Sequence, residues 1–189
     1  YLLGSWRAAG LDTSHAPIVD GFNGVYFISN YGEGQREFTY YRAGSAASRI
    51  APADLDPAYI GGSRFFFASG ISQAISPSAR ATVRAAVEAA RTGGVRVAFD
   101  PNLRVKLWSL AEAQAALAEV APFLDIILPS APEESEALLG LTDPAAIIEH
   151  FWGLGVPTVA VKVGVEGCVV GSQGRITAVP AYRVEAVVD

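Results

Sequence analysis

Between residues 64 and 163, short apolar runs alternate with stretches of helical period. Residues 64–69 (RFFFAS) are almost continuously apolar, the pattern of a strand buried on both faces. Ser76 followed by Pro77 reads as an N-cap with proline at the first helical position. Val83, Ala86, Val87 and Ala90 then recur at helical spacing until Gly93 and Gly94. Residues 95–99 are the next predicted strand, and Ser109 caps a predicted helix running to about Val120. Residues 125–128 and 158–163 are predicted strands, with predicted helices over 133–139 and 144–154 between them. Parallel neighbours need long crossovers, and amphipathic crossover helices must bury one face on the sheet. The alternation therefore predicts an α/β fold: a doubly wound, mostly parallel sheet with helices on both faces.

The flanks follow another rhythm. Leu2, Leu3 and Trp6 share a helical face and Gly10 is a stop signal, so residues 1–10 read as the end of a helix. Residues 24–29 (GVYFIS) and 37–41 (EFTYY) are β-branched and aromatic, with a polar loop containing Gly32 and Gly34 between them. That is a β-hairpin pattern outside the β-α-β alternation, and it predicts a small β-sheet flap within about residues 18–43. Residues 167–170 and 175–179, separated by glycine turns, are predicted antiparallel strands at one edge of the main sheet.

Composition removes several function classes. At 189 residues and 51% hydrophobic, the chain has enough apolar material for one sizeable core, so a single domain over 1–189 is expected. Fourteen Lys and Arg against nineteen Asp and Glu give a net charge of -5, with no basic cluster of the kind nucleic acid requires. No apolar run reaches the ~18 residues of a membrane span, so no membrane partner is expected. A single cysteine, Cys168, forms no intramolecular disulfide and fits a reducing, cytoplasmic compartment. His15, His150 and Cys168 have no metal-ligand spacing, which excludes a structural zinc site. The chain starts at Tyr1 and contains no Met, from which we expect a piece of a longer protein.

Ligands of open α/β sheets sit beyond the carboxyl ends of the strands, so the loops there carry the candidate chemistry. The first is Asp100, Pro101, Asn102, Leu103 and Arg104, followed by Lys106 and Trp108. The planar fork of Arg104 suits a carboxylate or phosphate; alternatively Asp100 caps a turn and Arg104 is a surface residue. The second is Lys162, Gly164 and Gly167, whose glycines allow close approach of backbone to an anion, or simply a turn joining two strands. The third is the hairpin, where Tyr40 and Arg42 share a face and Tyr26 lies on the paired strand. A Tyr/Arg face can cover a polar acidic molecule, or can be an ordinary cross-strand aromatic pair with a solvated arginine.

Together these stretches resemble the PfkB (ribokinase-like) carbohydrate kinases, and among them the 2-keto-3-deoxygluconate kinases. The resemblance extends over almost the whole chain. It is carried by residues 24–27 (GVYF), 40–48 (YYRAGSAAS), 99–104 (FDPNLR) with Lys106, Leu107 and Trp108, and 162–167 (KVGVEG). It implies a ribokinase-like domain with a β-sheet lid, ATP and Mg2+ as phosphoryl donor and metal, and a sugar acid as acceptor. Tyr26, Tyr40 and Arg42 match lid residues that contact the sugar acid, and Arg104 matches the arginine at the substrate's polar end. Asn102, Lys162, Gly164 and Gly167 match positions bordering the nucleotide. The family's Asn-x-x-Glu metal motif has Ser130 in place of the Asn, so only Glu133 is carried over as a Mg2+ contact. The family's glycine-rich C-terminal signature would begin at Asp189, so its general-base aspartate is expected beyond this chain. The resemblance leaves open a kinase for a neutral sugar or nucleoside, or a non-catalytic binding protein of the same fold. The apolar lid edge also predicts a homo-oligomer.

Overall fold

A computed structural model of the chain describes residues 1–31 and 36–184. Residues 32–35, part of the predicted polar loop with Gly32 and Gly34, and residues 185–189, including Asp189, lie outside the described residues. The chain divides into two compact units, Tyr1–Ile50 and Ala51–Asp189.

The first unit opens with helix α1 (Leu2–Ala8), closed by Gly10 in the left-handed conformation at φ 82°. Strands β1 (Val25–Asn30) and β2 (Arg36–Tyr41) form a two-stranded antiparallel sheet with Tyr26 opposite Tyr40 and Ile28 opposite Phe38. Because side chains alternate along a strand, Tyr26, Ile28, Phe38 and Tyr40 fall on one face and Val25, Phe27 and Tyr41 on the other. Within this unit these large side chains stay exposed, Tyr26 by 59% and Phe27 by 61%.

The second unit begins with α2 (Pro57–Gly61), capped by the Asp56 carboxylate, which accepts from the Ala58 and Tyr59 amides. Strand β3 (Phe65–Ser69) leads into α3 (Gly70–Ala74) and α4 (Pro77–Thr92). Then follow β4 (Arg96–Asp100), α5 (Leu110–Val120), β5 (Ile126–Ile127), α6 (Glu133–Leu139), α7 (Pro144–Gly153), β6 (Thr158–Lys162), β7 (Cys168–Ser172) and β8 (Arg175–Val179). The strands form one six-stranded sheet in the order β3-β4-β5-β6-β7-β8. The steps from β3 to β6 are parallel, and β7 and β8 continue it antiparallel. The expected α/β sheet and the small separate antiparallel sheet are both present.

Each cap read in the sequence has a partner. The Ser76 hydroxyl accepts the Ala79 amide at the start of α4. At α5 the Ser109 hydroxyl accepts from the Glu112 amide while the Glu112 carboxylate accepts from the Ser109 amide. The Ser109 amide first, then its hydroxyl, with help from Arg80, hold the Glu112 carboxyl below its ordinary value. That contribution is complete above pH 4.5, the ordinary value, and is lost as pH falls through the depressed folded value.

Consecutive strand order makes every parallel step run the same way, and right-handed crossovers then carry the described crossover helices to one face, where helices on both faces were expected. Val97, Phe99, Ile127, Val159 and Val161 point into that face and are fully buried, each worth up to about 1.5–3 kcal/mol. Gly171 of β7 admits α7 there: a Cβ would meet Ile148 and Trp152. On the other face Phe65 and Phe67 stay exposed by 42% and 62%. So β3 is buried on one face only, unlike the pattern expected of residues 64–69. It is an edge strand of the described sheet, and its continuous apolar run says nothing about which face is covered.

Candidate active site

The parallel register brings the carboxyl ends of β3, β4, β5 and β6 to one edge. Ser69 pairs with Asp100 across β3 and β4, and Ser130, just beyond β5, bridges to Lys162 at the end of β6. The loop 101–104 and the turn 163–167 leave from this edge, so two of the three predicted regions converge there.

Asp100 organises the loop. One carboxylate oxygen accepts the Asn102 amide at 3.1 Å, the turn cap read in the sequence. The other accepts from the Lys162 ammonium at 2.6 Å, in an ion pair whose side chains are 19% and 40% exposed. Asn102 sits at φ 41°, a left-handed conformation that asparagine tolerates better than most residues. Arg104 is exposed, and its guanidinium donates to the Leu103 carbonyl next to it. Farther along, Trp108 is buried, with the Arg80 guanidinium 5.2 Å over its ring, and anchors the loop's far end.

Three features of this edge were not read from the sequence. Gly70 approaches the loop so closely that a Cβ would lie 2.0 Å from the Pro101 carbonyl oxygen. Glu134 accepts the Leu103 amide at 2.7 Å and the Ser130 amide at 2.8 Å. Lys162 is a partner of Asp100 rather than a free cation. A glutamate directly following a predicted Mg2+ contact, and a glycine directly after a strand, were the only local signals available.

Around Lys162 the chain makes a tight hairpin turn. A single 3-10 turn covers Gly164–Glu166, and the Gly167 amide donates to the Gly164 carbonyl at 3.1 Å. Gly164 has φ 60° and open space around it; Gly167 has φ 106° and lies against the end of β8. Both glycines are demanded by the turn itself, whatever else they border.

Glu133 begins α6 and is exposed, with no hydrogen bond or ion pair among the described residues. No group of three His, Cys, Asp or Glu able to hold a metal exists among the described residues. A single carboxylate suits Mg2+, which keeps water and phosphate ligands and does not need a protein cage.

In the first unit the predicted Tyr/Arg face exists. The rings of Tyr26 and Tyr40 are 6.0 Å apart, and Phe38 lies 6.0 Å from Tyr26 and 6.1 Å from Tyr40. The Arg42 guanidinium lies 4.4 Å over the Tyr40 ring, and its buried Nε has no hydrogen-bond partner. Gly24 makes room for it: a Cβ there would stand 2.9 Å from the Arg42 Cβ. Among the described residues no carboxylate neutralises Arg42, which leaves its charge for an anionic ligand.

No helix among the described residues is long and apolar enough to cross a membrane. Similar proteins add their own information. A curated 2-dehydro-3-deoxygluconokinase of Thermoproteus tenax is 35% identical over 168 residues, covering 87% of this chain and 50% of that protein. The crystal structure of a PfkB protein from Polaromonas sp. JS666 superposes with a TM-score of 0.89 at 33% identity, over 97% of this chain and 63% of that one. A putative ribokinase II of E. coli, solved in complex with ATP and Mg2+, superposes with a TM-score of 0.76 at 28% identity, over 87% of this chain and 52% of that one. The chain thus spans about half to two thirds of the length of these relatives. Residues 1–189 match the pfkB family carbohydrate kinases throughout, and the chain belongs to that family.

Proposed function

We propose that the protein containing this chain is an ATP-dependent kinase that phosphorylates the terminal hydroxyl of 2-keto-3-deoxygluconate. The observation that carries this reading is Arg42, a guanidinium stacked on Tyr40 with no counter-ion among the described residues. A carboxylate answers that charge, whereas a neutral sugar does not. The name of the Thermoproteus relative supports the same substrate class. In this reading Arg42 and Arg104 orient the sugar acid, and Tyr26 and Tyr40 contact it through hydroxyl and ring. Asn102, Lys162, Gly164 and Gly167 border ATP. Glu133 would hold Mg2+, which when bound neutralises phosphate charge.

The reaction balances simply. The acceptor hydroxyl oxygen bonds to the γ-phosphorus, the bond from that phosphorus to the β,γ-bridging oxygen breaks, and ADP leaves. The family resemblance assigns the hydroxyl proton to an aspartate outside this chain. Positioning and charge stabilisation supply most of such catalysis, and a lid that excludes water suppresses the competing hydrolysis of ATP.

A coupled ADP-release assay on the full-length protein with a panel of sugars and sugar acids tests this. We expect release with 2-keto-3-deoxygluconate well above that with fructose, ribose or nucleosides. Arg42→Ala should raise KM for the acid by at least tenfold and for any neutral sugar by less than threefold. Equal effects, or no acid-dependent ADP, would sink the sugar-acid reading in favour of a neutral-sugar kinase or a binding protein. We also propose a cytoplasmic homo-oligomer joined through the lid, whose apolar strands are exposed on both faces. Light scattering should give a multiple of the protomer mass, and a monomer at micromolar concentration would refute it.

A further inference from the structure

We propose that Glu134 is a positioning residue that sets the direction of Arg104; the kinetic part of this inference rests on the function proposed above. Its carboxylate spans two loops from different strands. One oxygen takes the amide of Leu103, the residue directly before Arg104, and the other takes the amide of Ser130. The Ser130 segment is itself tied to the sheet, since Ala131 donates to the Lys162 carbonyl and the Lys162 amide to the Pro129 carbonyl. Asp100 holds the loop at Asn102 from the other end. Loop 101–104 is therefore fastened at consecutive amides by two carboxylates, and among the described residues Glu134 is the one that reaches the amide adjoining Arg104. Bonds from backbone amides to a carboxylate are charge-assisted, and losing one leaves a half-buried donor unsatisfied. Each Glu134 oxygen accepts one backbone amide, so the carboxylate ties the two loops to each other.

Glutamine is the sharpest replacement. It is nearly isosteric but has one oxygen, so its amide group would set donor against donor at one of the two N–H groups. In the full-length protein, Glu134→Gln should speed hydrogen exchange of the peptide covering residues 101–105 by about tenfold or more. With 2-keto-3-deoxygluconate it should raise KM roughly tenfold while KM for ATP changes less than threefold, because the Asn102 amide is held by Asp100 and the Lys162–Gly167 turn is not bonded to Glu134. Glu136→Gln, exposed on the same helix, should change neither. A merely structural role would lower the thermal midpoint and the active fraction and leave KM for the acid intact. Unchanged exchange at 101–105 together with an unchanged KM for the acid would overturn the proposal. If no sugar acid is phosphorylated, the functional reading fails and the exchange measurement alone decides on the clamp. Should Glu134→Gln not fold, Glu134→Asp, too short to reach both amides, is read by the same exchange.

Discussion

Gly167→Ala is expected to destabilise the folded protein by about 2–5 kcal/mol, from overpacking and left-handed strain together. The added Cβ would sit 2.1 Å from the Val179 carbonyl oxygen, 2.6 Å from the Ala181 nitrogen and 2.7 Å from the Pro180 carbonyl carbon. All three are backbone atoms, so no side-chain rotation relieves the clash. The residue also holds φ 106°, a region that a side chain strains. Gly164→Ala separates the two effects. It has φ 60° with nothing within 4 Å of the new Cβ, so it should cost only about 1–2 kcal/mol. Urea denaturation of the full-length variants checks this. Equal losses at the two positions would show that conformation, not the contact with the end of β8, governs the turn. Gly70→Ala acts differently: its Cβ would press on the Pro101 oxygen at 2.0 Å and displace the loop that carries Asn102 and Arg104. There activity should fall further than stability.

Arg104→Ala should lower kcat/KM for the sugar acid roughly ten- to hundredfold, the usual worth of a charge-assisted bond. Its guanidinium is exposed and bonds only to the neighbouring Leu103 carbonyl, so the fold should lose less than about 0.5 kcal/mol. Arg104→Lys should recover a minority of the loss, because an ammonium keeps the charge but not the planar fork. Steady-state kinetics beside a thermal melt distinguish the two quantities. A variant within twofold of the parent in kcat/KM would remove Arg104 from the substrate site. Set beside Arg42→Ala, the experiment also asks which arginine discriminates acid from neutral sugar.

Much of this protein was legible in its sequence because the signals are local. The caps at Ser76 and Ser109 work through residues three positions away. The period-two alternation put Tyr40 and Arg42 on one face, and the structure adds Tyr26 beside Tyr40 through the hairpin register. The Asp100 turn needed only Asn102. Residues 64–69 show where local reading stops: an apolar run reports that a strand can be buried, not which neighbours cover it.

What the tertiary structure decided joins positions far apart in the chain. Lys162 meets Asp100 across 62 residues, and Glu134 meets Leu103 across 31. Neither pairing follows from composition or period, because each depends on parallel strands ending in register at one edge. Gly70 against Pro101 is the same kind of fact. The order of residues determined which segments became strands, helices and turns, since hydrogen bonding and side-chain direction repeat over a few residues. The sheet alone decided which loop faces which, because strand order and register are settled by the joint burial of Val97, Phe99, Ile127, Val159 and Val161 in a common core.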